Sequence, residues 1–203
     1  MPKRRKIYLA GPEVFLTDAI AIGTLKKELC DQFGFEGLFP LDNDPPDPVE
    51  DRLDRGIYRA NVAMMETADA GIFNLTPFRG PSADVGTVFE LGLMTGYGKP
   101  TFGYTNEADD LLSRTRRDQV VTIEEGGSAW RDPNAMLVED WGNADNLMLD
   151  ASLAEQGRVI VRHAVTAAER FRDVQGFIDC LKLAQEHFAA IGARPRRKLR
   201  RIG

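Results

Sequence analysis

Ala70-Gly71-Ile72-Phe73-Asn74-Leu75, followed by Gly80-Pro81-Ser82-Ala83-Asp84-Val85-Gly86-Thr87-Val88-Phe89-Glu90-Leu91-Gly92, is the stretch on which the fold turns. The first run is short, apolar and unbroken, as a strand covered on both faces requires. The second is a polar, glycine-bearing loop that opens a helix over 82–97, with Ser82 or Asp84 as its cap. A strand, a tight loop and a helix start form the unit at which a parallel α/β sheet places its ligands. On this reading Val85, Val88, Phe89 and Gly92 line the buried side of the helix, and Gly92 and Gly96 permit close approach to the sheet.

The same alternation extends in both directions. Upstream, residues 6–10 read as a strand stopped by Gly11-Pro12, and 17–32 as a helix ended by Gly34. Residues 35–41 form a second strand, and Asp42 to Pro48 an acidic, proline-rich loop that excludes regular structure. Residues 49–67 carry a helical stripe of Leu53, Ile57, Ala60, Met64 and Met65. Downstream, 100–104 is a fourth strand and 105–146 a long, weakly patterned connection of the kind used for lids and binding loops. A short helix over 146–156, a last strand over 158–161, a helical extension over 173–191 and a basic tail (194–201) complete the chain. The expected architecture is one α/β domain over 1–203: a flavodoxin-like, doubly wound parallel sheet of about five strands with helices on both faces.

Bulk properties narrow the function. The net charge of −5 disfavours a general nucleic-acid binder. Two cysteines, Cys30 and Cys180, suggest neither a disulfide framework nor a zinc site and fit a reducing cytoplasm. No apolar run approaches the roughly 18 residues of a membrane span, and the basic N-terminus is not followed by the apolar stretch of a secretory signal. No metal or organic cofactor and no membrane partner are expected.

The chemistry centres on two carboxylates. Glu90, about two turns into its helix, has the character of a carboxylate nucleophile, which must be ionised and held still. Tyr8, on the first strand and adjacent to the third in the flavodoxin-like order, is the candidate to hold it. Asp84 as a cap does not share a helix face with Glu90, and the two converge only if the loop folds back. The residues alone also accept a plainer reading, in which Asp84 caps, Glu90 is solvated, Asp69 ends a strand, Tyr8 packs and Asn146 caps a helix. Trp130 and Trp141, in the long connection, read as packing more readily than as base-stacking residues.

Four blocks in order, Ile7 to Pro12, Thr67 to Ala70, Asp84 to Gly92 and Asp145 to Met148, give the chain a resemblance to the nucleoside 2-deoxyribosyltransferase family over roughly residues 6–150. The third block is the most specific. The resemblance implies that Glu90 attacks the anomeric carbon of a 2′-deoxynucleoside, that Tyr8 orients it, and that Asp69 delivers or shares a proton with the departing base. It gives Asp84 the sugar hydroxyls, and gives Asn146 the 5′-hydroxyl in a neighbouring subunit's site. It thus implies a homo-oligomer acting on a 2′-deoxynucleoside and a free nucleobase in nucleotide salvage. Gly11, Phe15 and Met148 join Asp84 and Asn146 as candidate substrate contacts.

Two enzymatic alternatives share these residues. A 2′-deoxynucleoside 5′-monophosphate N-glycosidase would use water and a phosphate pocket, for which Ser82 and Arg79 are the available groups. A cytokinin-type nucleoside-phosphate ribohydrolase fits Gly86-Thr87-Val88-Phe89-Glu90 but lacks paired glycines upstream. A non-catalytic nucleotide-binding module is the third alternative.

Overall fold

A computed structural model describes residues 4–43 and 52–193. The bulk of the loop expected after Asp42, the first residues of the 49–67 helix and the basic tail lie outside the described residues. In chain order the elements are β1 (Arg5–Ala10), a 3-10 turn (Pro12–Phe15), α1 (Ala19–Gln32), β2 (Phe35–Leu38), a second 3-10 turn (Pro40–Asp42), α2 (Leu53–Thr67), β3 (Ala70–Asn74), α3 (Val85–Gly96), β4 (Thr101–Thr105), α4 (Leu111–Asp118), the short strands β5 (Thr122–Ile123), β6 (Trp130–Arg131) and β7 (Leu137–Val138), α5 (Leu147–Ala154), β8 (Val161–Arg162) and α6 (Gln175–Ala193).

Five strands form one sheet in the order β2-β1-β3-β4-β8, all parallel. This is the flavodoxin-like order, with its switch point between β1 and β3. The two-residue period of β1 divides the core. Ile7 and Leu9 face α1 and α6, packing with Cys30, Phe177 and Leu181. Tyr8 and Ala10 face the other layer, with Met65 of α2, Leu91 and Met94 of α3, and Leu149 and Leu153 of α5. That alternation is why the Tyr8 side chain emerges beneath α3.

Four expectations change. The 105–146 connection is not a bare loop: it holds α4 and a three-stranded antiparallel sheet, β5-β6-β7. Its strands are only two residues long, too short to show a period in the sequence. The phase of α3 also differs. Thr87, Leu91 and Met94 are buried, whereas Val85 is 84% and Phe89 52% exposed. A Cβ at Gly92 or Gly96 would meet open space, so neither glycine serves close packing. Leu53 and Ile57 of α2 are likewise exposed rather than in the core, and Met65 alone of the expected stripe is fully buried. The last strand is also shorter and later than expected, at Val161–Arg162.

Candidate active site

The C-terminal ends of β1, β2 and β3 open into a cavity of about 310 Å³. Its walls come from four places: the turn after β1 (Gly11, Val14, Phe15), the turn after β2 (Pro40, Leu41), α2 (Ile57, Asn61), and the entrance of α3 (Asp84, Gly86, Thr87, Glu90).

Glu90 lines this cavity from α3. Its Oε1 accepts a 2.6 Å hydrogen bond from the Tyr8 hydroxyl. Burial pushes the Glu90 carboxyl up to about 7; hydrogen bonds from Tyr8 and Asn61 oppose the shift, and the Asp84 charge adds to it. Burial, then the Glu90 charge, raises the Tyr8 phenol well above its ordinary value, so Tyr8 stays a protonated donor. Asn61 Oδ1 accepts from Asn43 Nδ2 at 3.3 Å, which leaves the Asn61 amide hydrogens for Glu90.

Asp84 caps α3. Its Oδ2 accepts from Thr87 N at 2.9 Å and from Thr87 Oγ1 at 3.1 Å. A cap folds its side chain over the first turn, and Thr87 and Glu90 lie one turn apart, so Asp84 and Glu90 meet at the cavity although they share no helix face. A Cβ at Gly86 would approach Asp84 Oδ2 to 3.1 Å, so glycine there leaves the carboxylate its room.

Two buried networks hold the walls in place. Gly11 tolerates no side chain, because a Cβ would fall 2.6 Å from Asn74 Cβ and closer still to the Glu13 carboxylate. Glu13 is itself fully buried, paired with Lys26 of α1 and accepting from Asn74 Nδ2 at 2.9 Å. Lys26 Nζ also donates to Tyr104 OH at 2.9 Å. This fastens the turn after β1 to α1 and the sheet. On the other side Asp145 accepts from Ser82 Oγ and from Ala83 N, and is paired with the fully buried Arg114. Arg114 also donates to the carbonyls of Pro81, Asp109 and Ala144 at 2.6–2.7 Å. The loop that delivers Asp84 is therefore anchored from α4 and from the start of α5.

The remaining candidates are scattered. Asp69 does not reach the cavity. It precedes β3 at the N-terminal edge of the sheet, accepting from Arg5 Nη1 and Lys6 N, both at 2.8 Å. Ligands in this fold gather at the opposite edge, so the proton-delivery role expected for Asp69 is withdrawn. Phe15 lines the cavity and stacks on Phe78, with ring centroids 5.2 Å apart. Asn146 caps α5, accepting from Met148 N and donating to Glu139 Oε1. Neither Asn146 nor Met148, which is 69% exposed, lines this chain's own cavity. Trp130 donates to Asp140 at 3.1 Å beneath Arg116, and Trp141 is exposed.

Asn61 is the site residue that the sequence reading missed. Its signal was present: it stands four residues from both Ile57 and Met65, a polar side chain interrupting a helical apolar row. No group of three or more His, Cys, Asp or Glu side chains among the described residues is placed to hold a metal ion. None of the described helices is long and apolar enough to cross a membrane.

Fold and cleft define an α/β protein of the flavodoxin-like kind with a small-molecule site at its switch point. Comparison with known proteins gives the particular family: the model named nucleoside 2-deoxyribosyltransferase matches residues 7–148, and the chain belongs to that family. An uncharacterized protein of Schizosaccharomyces pombe is 31% identical over 166 residues, 74% of this chain and 78% of that protein. Among solved structures, a 2-desoxiribosyltransferase from Leishmania mexicana is 29% identical with a TM-score of 0.56, covering 71% of this chain and 85% of its own. A conserved protein from Enterococcus faecalis V583 shares the fold at 17% identity and a TM-score of 0.52, over 90% of this chain and 99% of its own.

Proposed function

We propose that the chain exchanges the nucleobase of 2′-deoxynucleosides by double displacement, with Glu90 as nucleophile. The observation that carries this is Glu90 itself: a partly buried carboxylate, held by Tyr8, on the wall of a nucleoside-scale cavity in a chain of this family.

Glycosidic cleavage passes through an oxocarbenium-like state, and a carboxylate that captures it gives retention through a glycosyl-enzyme. A 2-deoxy sugar lacks the hydroxyl that would destabilise that cation. Glu90 Oε bonds to the anomeric carbon as the C–N bond to the first base breaks. The second base then displaces Glu90 and regenerates the carboxylate. The Asp84 carboxylate accepts from sugar hydroxyls while Asn61 and Tyr8 fix the nucleophile. Asp69, at the far edge, takes no part; the departing base takes up one proton and the incoming base gives one up, so the exchange is proton-neutral overall.

The cavity favours neutral nucleosides over their 5′-monophosphates. Among its described lining residues none is basic, and Ser82 is engaged by Asp145. The exposed row of Val85, Phe89, Ile57 and Tyr58 beside the cavity suits a subunit contact, through which Asn146 of one chain completes the site of another.

Base exchange between deoxyinosine and adenine, followed by chromatography, tests the reading. The wild type is expected to form deoxyadenosine, and Glu90→Ala to lose at least about 10³-fold in rate. Intact mass with a slow 2-fluoro analogue should place one sugar adduct on Glu90. Hydrolysis without exchange, or an adduct elsewhere, overturns the mechanism.

A further inference from the structure

A second, larger cavity of about 680 Å³ lies on the other side of the β3–α3 loop, at the C-terminal ends of β4 and β8. It shares no lining residue with the first. Its character is also different. Four guanidinium groups line it, from Arg79, Arg114, Arg117 and Arg170, against the two carboxylates Glu107 and Asp118. Phe78 and Phe171 supply apolar walls, with centroids 6.0 Å apart and rings nearly perpendicular.

Two buried polar atoms there have no protein partner among the described residues, Asn106 Oδ1 and Arg170 Nε. Asn106 is 3% exposed, and its Nδ2 donates to the carbonyls of Arg170 and Asp173, which fixes the oxygen as the unpartnered atom. Native proteins seldom leave such groups unmatched. Together they ask for a ligand that offers an acceptor to Arg170 and a donor to Asn106. Arg117 is shared among Glu107, Asp109 and Asp118, Arg170 meets Glu107 only at 3.7 Å, and Arg79 lies over the Phe78 ring with no carboxylate partner among the described residues.

We propose that this cavity is a second binding site for a nucleoside monophosphate, with the phosphate against Arg117 and Arg170 and the planar base against Phe78 and Phe171. A phosphate monoester accepts from guanidinium forks, and its ribosyl hydroxyls supply the donor for Asn106. The two cavities then divide one class of molecules by charge: the unphosphorylated form suits the cavity of Glu90, and the phosphorylated form suits this one. They touch through a single wall. Arg79 lies 4.5 Å over the Phe78 ring and 5.3 Å over Phe15, and Phe15 lines the first cavity. Binding here is independent of whether Glu90 turns over any substrate.

Calorimetry of the full chain with AMP, inorganic phosphate and adenosine tests the site. AMP is expected to bind one per chain and to keep its affinity within twofold in Ile57→Trp, which fills the first cavity. Arg170→Lys, which keeps the charge but removes Nε, and Phe171→Ala should each weaken AMP at least tenfold. Circular dichroism melts confirm that each variant is folded. Phosphate should compete weakly, and adenosine should leave AMP binding unchanged. Loss of AMP binding in Ile57→Trp, or full retention in both Arg170→Lys and Phe171→Ala, overturns the proposal. Equal affinity for AMP and inorganic phosphate overturns the nucleotide assignment in favour of free phosphate.

Discussion

Glu13 stands buried behind one wall of the cleft and Glu90 lines another, and the two teach opposite lessons. Glu13 is completely buried and meets an ammonium, Lys26, and an amide, Asn74. Both partners stabilise its charge, and it serves as a fastening. Glu90 is less buried but meets no cation among the described residues. Its hydrogen-bond partners are a phenol and an amide, and another carboxylate stands nearby. Its charge is tolerated rather than neutralised. The structural carboxylate is matched; Glu90 is left in want of a positive centre, which the oxocarbenium-like sugar of the proposed reaction would supply.

The largest expected effect lies on the matched side. Lys26→Met removes the ammonium and leaves Glu13 charged in the core, so stability in a urea titration should fall by about 3–5 kcal/mol. Adding Glu13→Gln should recover much of that loss. If Lys26→Met alone is neutral, the pair is not the fastening described.

On the unmatched side the sign reverses. The Glu90 carboxyl binds its proton up to about 7 when folded but only up to its ordinary value of 4.5 when unfolded. The folded chain therefore holds the extra proton across that window, and stability falls as pH rises through it. Glu90→Gln removes the penalty. The variant should match the wild type near pH 4.5 and exceed it by up to about 3 kcal/mol above pH 7. An active-site acid whose removal leaves stability at pH 8 unchanged would erase the contrast.

Tyr8→Phe tests the hydrogen bond that restrains Glu90. That bond holds the carboxyl down, so its loss should move the acid limb of the exchange rate from about 7 to higher pH. At pH 6.5 the rate should drop about tenfold or more, with a smaller loss at pH 8.5. A pH-independent loss would assign Tyr8 to packing alone. The smallest effect is expected for Asp69→Asn. Its partners are Arg5 and the Lys6 amide at the far edge, in a partly exposed ion pair. Exchange should stay within about twofold of wild type and stability within about 1 kcal/mol.

Asp69 also shows where sequence reading went astray. A residue immediately before a parallel strand lies at its N-terminal edge, while ligands gather at the C-terminal edge. Strand direction alone argues against the assignment, whatever the motif suggests. The strands β1, β3 and β4 were legible as short, largely apolar runs, as in 70–75, whereas β8 was misplaced. The pairing of Tyr8 with Glu90 was legible from strand order and motif together. The phase of α3 was not: Val85 and Phe89 are apolar yet face outward, and apolarity alone does not say which neighbour covers a face. Asn61 and Lys26 carry the same overlooked signature. Each sits between apolar residues four positions away on both sides, Ile57 and Met65 for one, Ile22 and Cys30 for the other. A polar residue in such a row is buried with a purpose, and here each touches a glutamate.

Arg114 sets a limit on modularity. Its planar head spans three carbonyls and one carboxylate from three separate segments, a reach that the single ammonium of a lysine does not match. Grafting the segment 80–90 onto another scaffold, or exchanging it between relatives, would carry Asp84 and Glu90 across without the clamp on their loop. The transplant keeps its geometry only if α4 and the approach to α5 travel with it, so the loop of Asp84 and the poorly patterned stretch behind it form one structural piece.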